Sequence, residues 1–154
     1  MNPLDFALQM ELDGQEYYSR LAEDTNNSQM KQAFLAFAAD EQKHYQAILA
    51  LKDSSKCNYV GSNTLTQIKG IFSDGIRKGT ESVDQNLLDA YKLALDMELK
   101  SIKLYKDLGK QAENEQDEEL FGKLVKEEEM HHSILWKLTE LMQRPEEWYP
   151  YLEL

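Results

Sequence analysis

Apolar residues recur along this chain at the spacing of one helical face, in four long stretches. The first runs over 3–24 and turns Leu4, Leu8, Tyr18 and Ala22 to one side, with Glu11 among them. The second runs over 28–52, with Phe34, Phe37, Ala38, Ile48 and Leu51 on one face, interrupted by Glu41 and His44. The third, 84–112, places Tyr91, Ala94, Tyr105 and Leu108 around Glu98. The fourth, 115–143, places Phe121, Leu124, Leu135 and Leu138 around Glu128 and His131. Pro3 suits a first helical turn, where its missing N–H is not needed. Ser28 is the expected N-cap of the second stretch. The other prolines stand at 145 and 150, so nothing between 4 and 144 carries a helix-stopping ring.

The turns after the first and third stretches are short. About thirty residues, 53–83, separate the second from the third and hold four of the seven glycines, with an amphipathic fragment over 65–76. Short, long, short is the connection pattern of two helical hairpins joined by one crossover. The expected fold is therefore all-α: a four-helix bundle in a single domain over 1–154, with an aromatic tail at 145–154 packed on a bundle end or a neighbour.

Composition narrows the partners. Acidic residues outnumber basic ones 28 to 17, for a net charge of -11, which argues against nucleic acid or an anionic membrane and is compatible with cations. No apolar run approaches the roughly 20 residues of a membrane span, and the start lacks the basic and apolar regions of a secretory signal. The one cysteine, Cys57, excludes an intramolecular disulfide and a paired Cys-x-x-Cys metal site within these residues and reads as a free thiol without a role. A cytoplasmic setting is expected.

The chain also resembles itself. Shifted by 87 positions, the step from Glu11 to Glu98, residues 6–22 fall on 93–109 with seven identities in seventeen positions, among them Met10/Met97, Glu11/Glu98 and Tyr18/Tyr105. The same shift, without a gap, pairs Phe34 with Phe121, Glu41 with Glu128, His44 with His131 and Leu51 with Leu138. This is a duplicated hairpin, expected to pack about a pseudo-twofold axis. The repeat also chooses between two E-x-x-H frames in the fourth stretch. Glu128/His131 is the image of Glu41/His44, so Glu127, Glu129 and His132 read as solvated, like the acidic run 113–119. Met10 and Met97 read as packing.

Six polar residues thus sit within apolar stripes: Glu11, Glu41, His44, Glu98, Glu128 and His131. A Glu and a His three residues apart share one helical face. Four such helices in a bundle bring four carboxylates and two imidazoles together. Burying unpaired carboxylates costs several kcal/mol each, and their mutual repulsion adds to this. Two divalent cations balance four carboxylates while leaving the histidines neutral. The charge balance favours a dinuclear site over a single ion.

One Glu from each of two helices plus a Glu-x-x-His from each of the other two is the ligand set of ferritin-like di-iron carboxylate bundles. Over about residues 3–143 the chain resembles that family, and within it the rubrerythrin-like domain. The resemblance rests on M-E-L with a following tyrosine at Glu11/Tyr18 and Glu98/Tyr105, and on E-x-x-H at 41/44 and 128/131. It implies that Glu41 and Glu128 bridge two irons, that Glu11 and Glu98 bind one each terminally, and that His44 and His131 cap one each. Tyr18 and Tyr105 are then expected to donate to ligand carboxylates from facing helices, with no catalytic group beyond the metal ligands. The implied activity is reduction of hydrogen peroxide or O₂.

Two departures from rubrerythrins bear on function. Their rubredoxin module has no counterpart in these residues, so the expected electron source is an external, rubredoxin-like donor. Their extra glutamate one turn after the third-helix ligand is Ser101 here, with Gly14 as its repeat image. The symmetric set of six is in this respect similar to the ferroxidase centre of bacterioferritins, so iron oxidation for storage stands as an alternative. A non-redox bundle holding zinc or manganese is a second, and a partner-binding module using the aromatic tail a third. A homodimer or higher homo-oligomer is expected, with hairpin exchange between chains open to a crossover of this length.

Overall fold

The computed structural model describes residues 2–54, 59–73 and 85–143. Among the described residues there are five helices: α1 (Pro3–Asp24), α2 (Ser28–Lys52), α3 (Thr64–Ile71), α4 (Gln85–Gln111) and α5 (Glu115–Met142). No strand occurs among the described residues. The first two expected helices keep their bounds, and the last two each end one residue earlier than expected, while position 84 lies outside the described residues. The aromatic tail, Cys57 and most of the second half of the crossover lie outside the described residues.

Local chemistry explains where the helices begin. Asn2 caps α1 by accepting a hydrogen bond from the Asp5 N–H, with Pro3 in the first turn. Asn27, not Ser28, caps α2: its side chain accepts from the N–H groups of both Gln29 and Met30. The amide carbonyl of Asn27 reaches two of the free N–H groups at that end, and Ser28 becomes the first helical residue. Asn114 accepts from the Asp117 N–H at the start of α5, where Glu115, Asp117 and Glu118 also complement the helix dipole.

α1 packs along α2 and α4 along α5, each pair joined by three residues. The hairpins meet through α1 against α4 and α2 against α5. This is the ferritin-like four-helix arrangement, with α3 as one short helix in the crossover. The expected fragment over 65–76 is helical only to Ile71. α3 turns Ile68 into the core, Phe72 follows it there, and Gln29 Nε2 donates to the Ile71 carbonyl at its end.

The core is divided lengthwise. One apolar cluster includes Tyr18, Phe34, Phe37, Tyr91 and Leu135, closed over by Ile68 and Phe72. The other includes Ala7, Leu8, Ile48, Tyr105, Phe121 and Leu124. Between them lie Glu11, Glu41, His44, Glu98, Glu128 and His131, none more than 3% exposed. The four helices therefore carry one polar layer between two apolar ones, and water is kept from it at both ends.

Candidate metal centre

Each helix delivers its polar residues from the middle of its buried face. α1 supplies Glu11, α2 supplies Glu41 and His44, α4 supplies Glu98, and α5 supplies Glu128 and His131. All six residues singled out from the sequence converge. They form two overlapping groups, Glu11–Glu41–His44–Glu128 and Glu41–Glu98–Glu128–His131, and in each group one donor atom per residue lies within 4.8 Å of the others. Atoms bound to one divalent ion at about 2.0–2.2 Å stand at most about 4.4 Å apart, so each group is close to closing on an ion. Glu41 and Glu128 belong to both groups.

The hydrogen bonds show which atoms are held and which are not. Tyr18 donates its hydroxyl to Glu98 Oε1, and Tyr105 donates to Glu11 Oε1. Each tyrosine thus reaches the carboxylate of the other hairpin. The histidines cross in the same way. His44 Nε2 lies 2.9 Å from Glu127 Oε1, and His131 Nε2 lies 2.8 Å from Asp40 Oδ2. On a neutral ring whose proton sits on Nε2, facing that outer carboxylate, Nδ1 would carry the lone pair a cation takes. His44 Nδ1 is 3.0 Å from Glu128 Oε1 and 3.5 Å from Glu11 Oε2. His131 Nδ1 is 3.2 Å from Glu41 Oε1 and 3.4 Å from Glu98 Oε1.

Every one of the six residues has a buried atom without a hydrogen-bond partner: Glu11 Oε2, Glu41 Oε1, His44 Nδ1, Glu98 Oε2, Glu128 Oε1 and His131 Nδ1. Buried polar atoms are rarely left this way. Six such atoms, four oxygens and two nitrogens, gathered in one buried layer make a donor set of the kind that suits metal cations.

Electrostatics agree. Burial, followed by the charge of Glu11, pushes the Glu41 carboxyl well above the usual carboxylate range. Burial raises Glu128 in the same way, with Glu41 and Glu98 adding to it. Burial by itself would lower both histidines, but their acidic neighbours outweigh it: Glu11 first for His44, Glu98 first for His131. Both imidazoles are raised well above their ordinary value. For Glu98, burial is outweighed by His131, so its carboxyl falls below the ordinary range. Asp40 is lowered too, with burial again outweighed by His131. Burial raises both Tyr18 and Tyr105, which keeps them neutral donors. In the absence of cations, protons on Glu41, Glu128, His44 and His131 reduce the negative charge of the layer.

Two functional residues escape a reading by stripes. Asp40 is 1% exposed and holds His131. Glu127, expected in solvent, has only 12% of its side chain exposed and holds His44. Each stands one position before a glutamate that belongs to both donor groups, rotated off the core face toward the flank covered by the crossover. The repeat carried the signal: its shift places Asp40 on Glu127, so an acid precedes both E-x-x-H motifs.

These features define a helical bundle built around two overlapping groups of donors, each of which could hold a metal ion, that share a pair of carboxylates. The rubrerythrin family model matches residues 2–139, and the chain belongs to that family. No curated protein and no solved structure matches it.

Proposed function

We propose that this chain is a di-iron oxidoreductase that reduces hydrogen peroxide or O₂ with electrons from an external, rubredoxin-like donor. The observation that carries the reading is the set of six orphaned donor atoms, divided into two groups that share Glu41 and Glu128. Glu41 and Glu128 would bridge the ions, Glu11 and Glu98 would each hold one terminally, and His44 and His131 would cap them through Nδ1. Two iron ions held there would supply electrons and a paired template for an O–O bond.

The chain's own groups do the rest. Four carboxylates match the charge of two divalent ions. Tyr18 and Tyr105 fix the terminal carboxylates through one oxygen each and leave the other free. Asp40 and Glu127 fix the ring orientation of the histidines. The apolar clusters on either side strengthen each of these contacts by excluding water. No helix among the described residues is long and apolar enough to cross a membrane, and a cytoplasmic setting belongs to the reading. A homodimer or small homo-oligomer completes the reading.

A second reading, iron oxidation for storage, is favoured by Ser101, which occupies the position where an extra glutamate is expected of a rubrerythrin and whose repeat image is Gly14. The donor set also suits zinc or manganese. One experiment separates the three. The protein is loaded anaerobically with Fe²⁺, analysed for metal and mixed with peroxide in a stopped-flow absorbance instrument. About two irons per chain, a ferric band and turnover with a reduced donor are expected. Rapid oxidation without turnover, in a shell-sized particle by light scattering, supports storage. Less than one iron per chain and no ferric band would refute the di-iron reading.

A further inference from the structure

Both histidines turn their Nε2 edges outward, and the stretch between α2 and α3 passes over those edges. The Tyr59 hydroxyl donates to Glu127 Oε1 at 2.5 Å, the same oxygen that accepts from His44. The Ser62 hydroxyl donates to Asp40 Oδ2 at 3.1 Å, the same oxygen that accepts from His131. Between them Gly61 adopts φ +90°, a conformation that L side chains rarely take, where a Cβ would stand 3.6 Å from Glu127 Oε2. Lys123 Nζ on α5 binds the Tyr59 carbonyl at 3.2 Å. A connection needed only to link two helices has no reason to meet both carboxylates.

We propose that Tyr59 and Ser62 are positioning residues of the metal centre, acting through Glu127 on His44 and through Asp40 on His131, and that they make the two metal positions unequal, with the His44 position the weaker. The inference rests on the two-metal reading above. The duplication supplies matched halves for the six donors and for the two tyrosines below them. The crossover has no duplicate. It gives a phenol to one carboxylate and an aliphatic hydroxyl to the other, and the carboxylates differ as well. Asp40 is short and 2% exposed at its side chain, whereas Glu127 is one methylene longer and 12% exposed. The longer arm has more rotamers to lose and more water within reach. His44 therefore depends on Tyr59 to keep Glu127 turned inward, while burial already holds Asp40 against His131.

The test is anaerobic titration of the full metal-free chain with Co²⁺, followed by calorimetry and by the visible d–d absorbance of each bound ion. The unaltered protein is expected to take two Co²⁺ in two steps of unequal affinity. Tyr59→Phe should weaken the second step about tenfold and change its d–d band, with the first step intact. Glu127→Gln should weaken the same step, and the double variant should be no weaker than Glu127→Gln alone, because Tyr59 acts through Glu127. Ser62→Ala should leave the second step intact and weaken the first by less than Tyr59→Phe weakens the second, because burial also holds Asp40. Two bound Co²⁺ with both steps unchanged in Tyr59→Phe, both steps weakened alike, or losses that add in the double variant would overturn the inference alone. Fewer than two Co²⁺ in the unaltered protein would overturn the two-metal reading and this inference with it.

Discussion

Gly14 on α1 faces Glu41 on α2 so closely that a Cβ at position 14 would stand 3.0 Å from Glu41 Oε2. Glycine inside a helix is about 1 kcal/mol less favourable than alanine, so its presence there has another cause. The atom it makes room for is the end of a flexible side chain, which can move aside, but that side chain belongs to both donor groups. Gly14→Ala is therefore expected to leave the metal-free protein at least as stable in urea while weakening metal uptake about tenfold. A variant with full metal affinity would show that the close approach has no bearing on the centre.

Tyr18→Phe and Tyr105→Phe each remove the donor to a buried carboxylate oxygen, on Glu98 and Glu11 respectively. Leaving such an oxygen unsatisfied costs about 1–3 kcal/mol. Urea melts of the metal-free variants should show a loss of that order, and metal titration should show affinity lower by about 10- to 100-fold. Because the two contacts are images of each other, the two variants should behave alike.

Stability of the metal-free protein should fall as pH rises. Glu41, Glu128, His44 and His131 all have raised folded-state pKa values. A group of this kind contributes stability that is fully present below its unfolded value and is lost as pH climbs through the folded one. The window opens near pH 4.5 for the carboxyls and near 6.5 for the imidazoles and extends upward from there. Asp40 and Glu98, being lowered, are ionised in both states from about pH 6 upward and add no slope there. Each proton retained only by the folded state contributes a slope of about 1.4 kcal/mol per pH unit. Melting temperature measured from pH 6 to pH 9 should decline without metal and stay level with it, since bound cations replace the protons. A flat profile for the metal-free protein would contradict the charge assignment.

Replacing both shared carboxylates, Glu41→Gln with Glu128→Gln, preserves side-chain size and removes two of the four negative charges from the layer. Elemental analysis after iron loading should fall from about two ions per chain to well under one. The same double variant should melt no lower than the unaltered metal-free protein at pH 8, because the amides keep the size of those buried carboxyls and need no proton to stay neutral. Retention of two ions would remove Glu41 and Glu128 from the centre.

The helices and the six converging residues were legible because each rests on a periodicity. A buried stripe at helical spacing tells which face of α2 carries Glu41 and His44, and the duplication tells which of two frames in α5 matches it. Asn27 was misjudged in favour of Ser28 because both are good capping residues, and only the chain path shows which one reaches two N–H groups. Glu127 was misjudged for a different reason. Its burial comes from Tyr59 and Gly61, which approach it from 68 and 66 positions earlier in the chain, and a helical pattern read along α5 holds no information about what lies over its flank. Asp40 shares that position in its own hairpin. Residues placed by the helix register were found, and residues placed by what crosses over the helix were not.

Neither donor group can be assembled from one hairpin. The first takes Glu11, Glu41 and His44 from α1–α2 but needs Glu128, and the second takes Glu98, Glu128 and His131 from α4–α5 but needs Glu41. An ancestor encoding a single hairpin could have completed either group only by associating with a second copy of itself. Within one polypeptide the two hairpins meet without that dependence on concentration, and the halves differ at Gly14 and Ser101 and at Asp40 and Glu127. The joining segment has no image in either hairpin, so its contacts to Glu127 and Asp40 need not match.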